Sequence, residues 1–200
     1  MSRASAAGLL LLLAAGCSRE RTPLDRLITA AEQSDVGPTI ARLDRFPYRP
    51  APRPSPVVLQ TAVPTLRMRG AAAEMLQETS ADDRNTAIAQ LLIGDKRQAV
   101  DSLTTLARRS KSDAVLWSDL AAARYELAMV DDDVAMFASS LAAADQALRL
   151  DSSSQPALFN RALALTALSL DPAAVRAFES YRKVDGHSEW SAEAMQRLTA

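Results

Sequence analysis

Beyond Pro64, apolar residues recur every three or four positions to the end of the chain, the period of helices that each bury one face. Residues 66–77 form the first such stretch, with Leu66, Ala72, Met75 and Leu76 directed toward a core. The pattern then breaks into pairs. Residues 82–93 and 96–109 flank the turn Gly94-Asp95, residues 113–129 and 135–150 make a second pair, and residues 156–170 and 172–184 a third. Asp171 is placed to cap the final helix of the third pair and Pro172 to fill its first turn. Ser188 opens a last helix, whose Trp190, Ala194, Met195 and Leu198 are spaced to cover the open end of a stack. The expected class is all-α, with repeats spaced roughly 34 to 40 residues apart, a period typical of stacked helix pairs.

The amino-terminal third has a different texture. Residues 1–17 carry Arg3, then an apolar stretch ending in small residues, which reads as a secretory signal because it falls well short of the roughly twenty residues that span a bilayer. Thr22-Pro23-Leu24-Asp25 is a helix start, with Leu24, Leu27, Ile28 and Ala31 on one face, and Gly37-Pro38 is a stop. Residues 39–45 suit a second short helix. Residues 46–56 hold so many prolines that neither helix nor central strand can form, so an extended, solvated spacer is expected there. The domain plan is therefore a signal at 1–17, a short helix and flexible Pro-rich tether at 18–64, and the helical array at 65–200.

Composition narrows the chemistry. A net charge of −1 over 200 residues gives no basic face for nucleic acid. A single cysteine, Cys17, excludes an internal disulfide and a cysteine metal cluster, and a single histidine, His187, leaves little acid–base capacity near neutral pH. No paired carboxylates, Ser/His/Asp set, phosphate loop or metal-ligand spacing is found, so neither catalytic residues, metal nor cofactor are expected. The aspartates 131–133 read as helix caps between the middle helices rather than as a cation site. Glu179 and Asp185 are placed on exposed turns or faces.

Several motifs resemble known families. Leu13-Ala14-Ala15-Gly16-Cys17 resembles the lipobox of bacterial lipoproteins, with Ala14 where leucine is usual. The resemblance implies lipid on the Cys17 thiol, cleavage before Cys17 and a chain anchored in the cell envelope, facing the periplasm or exterior. The helix pairs resemble tetratricopeptide repeats: Trp117, Leu120 and Ala121 match the first-helix pattern of the middle unit, followed by Ala144 and Ala147. Leu158, Ala162, Leu165, Ala174, Phe178 and Tyr181 match the last unit, and Ala87, Gly94, Ala99 and Leu103 the first. Arg124 stands where tyrosine is usual, with Tyr125 one place late. This implies a short right-handed solenoid of antiparallel helix pairs. Together with "RLDRFPYRPAPRP", "WSDLAAARYELA", "AADQALRLD" and "ALFNRALAL", the pattern is similar to the amino-terminal region of bacterial CHAT-domain proteins, in which a repeat array precedes a caspase-like peptidase domain. No His/Cys pair for such a domain is present, and peptidase activity is not implied.

The function expected is protein–protein interaction on a concave face, with a protein or peptide partner and the membrane, through Cys17, as the contacts. The resemblance places Arg84, Ile88, Leu91, Ser118, Ala122, Tyr125, Phe159, Asn160 and Leu163 on that face. Arg84, Ser118, Tyr125, Phe159 and Asn160 are the candidate partner-binding residues, Tyr125 and Phe159 for aromatic contact and Asn160 for its amide. The alternative is a truncated regulatory region of a CHAT-type peptidase.

Overall fold

A computed structural model describes residues 21–34, 37, 39–48, 66–80 and 83–199. Cys17, the signal at 1–17 and the Pro-rich residues 49–65 lie outside the described residues. The described residues form helices and no strand: α1 (Pro23–Glu32), α2 (Leu66–Glu78), α3 (Arg84–Ile93), α4 (Lys96–Arg109), α5 (Ala114–Asp131), α6 (Val134–Leu150), α7 (Gln155–Ala167), α8 (Asp171–Val184) and α9 (Glu189–Thr199). None is long and apolar enough to cross a membrane. Each helix packs on the next in chain order, and α5 also packs on α7. The all-α helical-repeat class expected from the sequence is the one observed.

Local chemistry sets the boundaries. Thr22 and Asp25 form a reciprocal capping box at the start of α1, ahead of Pro23 in the first turn. Gly94 ends α3 at φ +102°, the left-handed backbone that only glycine adopts without strain. Asp113 and Asp133 cap α5 and α6 through their carboxylates. Of the three adjacent aspartates, Asp131 pairs with Arg97, Asp132 turns the chain with a left-handed φ of 51°, and Asp133 caps. Ala87, Ala121 and Ala162 are fully buried, each on the first helix of its pair, where a small side chain allows a neighbouring helix to come close.

Four local expectations are corrected, besides that for Met195, which is exposed on α9 while Trp190 and Ala194 are buried. Leu66 is exposed, and Met68 takes its place in the core, because the buried stripe of α2 runs through Met68, Ala72 and Met75. Asp171 lies inside α8 and gives no cap; Leu170 occupies the cap position without a side-chain bond. Asp185 is buried rather than exposed. The fourth is the largest. Residues 39–48 form neither a helix nor a solvated spacer: Ala41, Leu43 and Phe46 are buried in the common core, with Arg45 in a left-handed turn at φ 67°. Helix α1 also packs on α2, so the two make a further pair at the amino-terminal end of the array. The described part of their connection, residues 39–48, is laid across α5, α7 and α8.

Candidate functional site

The surface shared by α3, α5 and α7, the first helices of the three pairs, holds residues 39–48 in place through groups that bind backbone. Asn160, fully buried on α7, accepts the Arg42 N–H at 2.7 Å and donates to the Arg42 carbonyl at 2.9 Å. A side-chain amide carries a donor and an acceptor side by side, so it can pair with both the N–H and the C=O of one residue. Its Nδ2 also donates to the Ser118 carbonyl at 3.3 Å, which fixes its orientation. On α5, Glu126 Oε1 accepts the N–H groups of Ile40 and Ala41 at 2.5 and 2.9 Å, and Asp119 Oδ1 accepts that of Asp44 at 3.3 Å.

Both carboxylates are fully or nearly fully buried, and each spends its second oxygen on a cation. Lys96 Nζ lies 3.0 Å from Glu126 Oε2, and Arg84 Nε lies 2.6 Å from Asp119 Oδ2. Burial pushes the Asp119 carboxyl up to about 6, although the Arg84 charge and the bonds from Arg84 and the Asp44 amide pull the other way. Burial also opposes the Arg84 charge, but Asp119 and Asp44 outweigh it and hold the guanidinium above its usual range. Arg84 further reaches Asp44 at 3.7 Å.

The Arg42 side chain enters a polar recess. Its guanidinium donates to the Tyr181 hydroxyl at 2.5 Å, to Asp185 Oδ2 at 3.2 Å and to Gln155 Oε1 at 3.0 Å. It also lies 5.4 Å from the centre of the Trp190 ring and 5.8 Å from that of Tyr181, within cation–π range. Asp185 is the hub of this recess, accepting from Tyr181, from Ser188 at 2.5 Å and from Arg42. Burial alone raises its carboxyl, but the bonds from Ser188, Tyr181 and Arg42 together hold it below the ordinary range. Burial, then the bond to Asp185, pushes the Tyr181 phenol up, so that it stays a donor. Farther along, Tyr48 stacks edge-on against Trp190 at 5.1 Å.

The five candidate residues therefore divide. Asn160 and Arg84 meet the chain's own residues 39–48, Asn160 directly and Arg84 through Asp119 and Asp44. Ser118 is buried; its carbonyl orients Asn160, while its hydroxyl has no hydrogen-bond partner among the described residues. Tyr125 lies inward, its ring 5.3 Å from Phe137, and burial pushes its phenol up to about 12. Phe159 is fully buried, 4.9 Å from the Trp190 ring, 5.3 Å from Tyr181 and 5.9 Å from Phe178. Both rings pack helix against helix, because the first-helix pattern fixes a residue's face and not its depth. Sequence reasoning missed Asp119, Glu126, Gln155, Asp185 and Arg42. The available signal was charge on an apolar helix: α5 buries most of its residues, and two acids seven places apart flank Ala122 on one side of it.

No family model matches the chain, and no curated protein resembles it significantly. Among solved structures it is similar to the first tetratricopeptide (TPR) domain of the human RPAP3 protein, at TM-score 0.52 and 18% identity over 58% of this chain and 86% of that one. It is also similar to the second TPR domain of human RPAP3, solved in complex with the HSP70 peptide SGPTIEEVD, at TM-score 0.51 and 16% identity over 66% of this chain and 98% of that one. At these identities the likeness concerns the fold, which is tetratricopeptide-like.

Proposed function

We propose that the chain is a membrane-anchored, non-enzymatic scaffold that takes an extended segment of a protein partner on its first-helix face. The observation that carries this reading is the grip of Asn160, Glu126 and Asp119 on the backbone of residues 40–44. Those bonds go to peptide N–H and C=O groups, which any extended chain supplies, so the face is built for a peptide. A further parallel supports it. The HSP70 peptide SGPTIEEVD bound by the second RPAP3 domain shares Gly-Pro-Thr-Ile with residues 37–40 here but has Glu-Glu where this chain has Ala41-Arg42, so the parallel concerns an extended backbone and not the side chains read.

Site-specific photo-crosslinking tests the scaffold. A photoreactive residue at Gln155, half-buried at the edge of the groove, is expected to capture a protein from envelope extracts, whereas one at Glu179, exposed on α8, is not. Equal capture at both positions, or at Glu179 alone, contradicts a first-helix binding face.

The anchor follows from the lipobox-like residues 13–17. Acylation at more than one point holds a protein stably at a bilayer where a single chain is marginal. Membrane fractionation is expected to place the native protein with membranes and a Cys17→Ala variant in the soluble fraction; equal partition of both removes the anchor. The relation to CHAT-domain proteins rests on the sequence segments alone. A peptidase-like reading frame in the DNA beyond codon 200 would make this chain the regulatory part of such a protein.

A further inference from the structure

The groove already contains a ligand of the same chain, and the identity of that ligand specifies what else fits. We propose that the first-helix face is a receptor for an extended segment centred on an arginine between small or aliphatic residues, that residues 39–48 are its built-in occupant, and that a partner binds by displacing them. This rests on the scaffold reading above and names its partner class and its regulation.

Three observations carry it. First, the polar lining of the groove reads the occupant's backbone: Glu126 Oε1 accepts from Ile40 and Ala41, Asp119 Oδ1 from Asp44 and Asn160 Oδ1 from Arg42, while Asn160 Nδ2 donates to the Arg42 carbonyl. These contacts hold the backbone extended and fix its register, so the choice of side chain falls to the recess that residue 42 enters. Second, Arg42 enters a recess that satisfies a planar fork from several sides, through Tyr181, Asp185 and Gln155, with aromatic rings of Tyr181 and Trp190 nearby. A lysine carries one point of charge and cannot reproduce that fork. Third, residues 39–48 connect α1 to α2 rather than forming part of a repeat helix. They can leave without unwinding any helix, while an empty groove would strand the inward-facing oxygens of Glu126, Asp119 and Asn160.

A covalently linked occupant competes at high effective concentration, so a partner in solution sees only the fraction of open grooves. Loosening the built-in segment must therefore strengthen binding of the same sequence added in trans. The experiment uses the full chain and a fluorescent synthetic peptide of residues 37–48, followed by anisotropy. An Arg42→Ala protein is expected to bind this peptide about tenfold or more tightly than the unmodified protein, as expected for release from a mostly closed state. A peptide with alanine in place of its arginine should bind neither protein, one with lysine should bind weakly, and adding Asn160→Ala to the Arg42→Ala protein should abolish binding. If Arg42→Ala does not fold, hydrogen–deuterium exchange on the unmodified protein supplies the test, since millimolar peptide should raise uptake within residues 39–48.

Equal affinity in both proteins, indifference to the arginine, or unchanged exchange under saturating peptide overturns the proposal. So does a sedimentation result showing copies that exchange residues 39–48 with one another, which would make the occupant a second copy of the chain. If the peptide fails but Gln155 still crosslinks a partner, displacement falls and the scaffold stands. Failure of both removes the scaffold as well.

Discussion

A Phe159→Ala variant is expected to lose about 3–5 kcal/mol of unfolding free energy, the usual cost of deleting a large aromatic side chain from a packed core. Its ring is fully buried and is shared by three neighbours, Phe178 and Tyr181 on α8 and Trp190 on α9. Three elements thus meet on one side chain, and little backbone movement can fill the space it leaves. The damage should concentrate at the carboxy-terminal end, where Trp190 also supports the Arg42 recess. Urea titration gives the free energy, and near-ultraviolet circular dichroism follows the Trp190 environment. A loss under 1 kcal/mol would mean that Phe159 lies on a surface, as its repeat position alone suggests.

The second large effect concerns Arg84. Replacing it with methionine leaves the fully buried Asp119 with the Asp44 amide as its remaining stabilising contact of those described above, and removing one member of a buried ion pair costs about 3–5 kcal/mol. The penalty is expected to depend on pH, and its sign is fixed by linkage. Burial holds the Asp119 carboxyl at about 6 in the folded chain against 3.8 as its reference value, and loss of the Arg84 charge raises it further. Between those limits the native state binds more protons than the unfolded state, so stability falls as pH rises through the window. Arg84→Met should therefore be least destabilised near pH 5 and most destabilised above pH 7. The unmodified protein should show a shallower trend of the same sign from this group. Adding Asp119→Asn should remove the extra pH dependence, and a deficit that is flat with pH would contradict the assignment.

Much of the helical frame was legible because its punctuation is chemical and local. Lys96–Arg109 is bounded as expected, since Gly94 must take a left-handed backbone and Ser110 follows the last basic turn. Thr22 with Asp25 announces α1 for the same reason. The small residues Ala87, Ala121 and Ala162 are fully buried, as their places on the first helices lead one to expect. The path of residues 39–48 was not legible. Ile40-Ala41-Arg42-Leu43 is too short to show a period, and its hydrogen-bond partners in the helical array lie 85 to 143 positions away in the chain. Depth was equally hidden: Tyr125 and Phe159 occupy first-helix positions, yet their rings point into the interior, where size and not face decides. Asn160 differs because an amide buried without a polar partner is costly, and the chain's own backbone supplies that partner at Arg42.

Amide exchange at Arg42 is the most direct probe of a groove occupied by its own chain. Hydrogen exchange followed by nuclear magnetic resonance should find the Ala41 and Arg42 amides protected about 100-fold or more, as for backbone held in a folded interior. Loss of that protection in Asn160→Ala, with the α5 amides still slow, would show that the buried amide holds the segment. Free exchange of Ala41 and Arg42 in the unmodified protein, alongside a protected α5, would contradict the account.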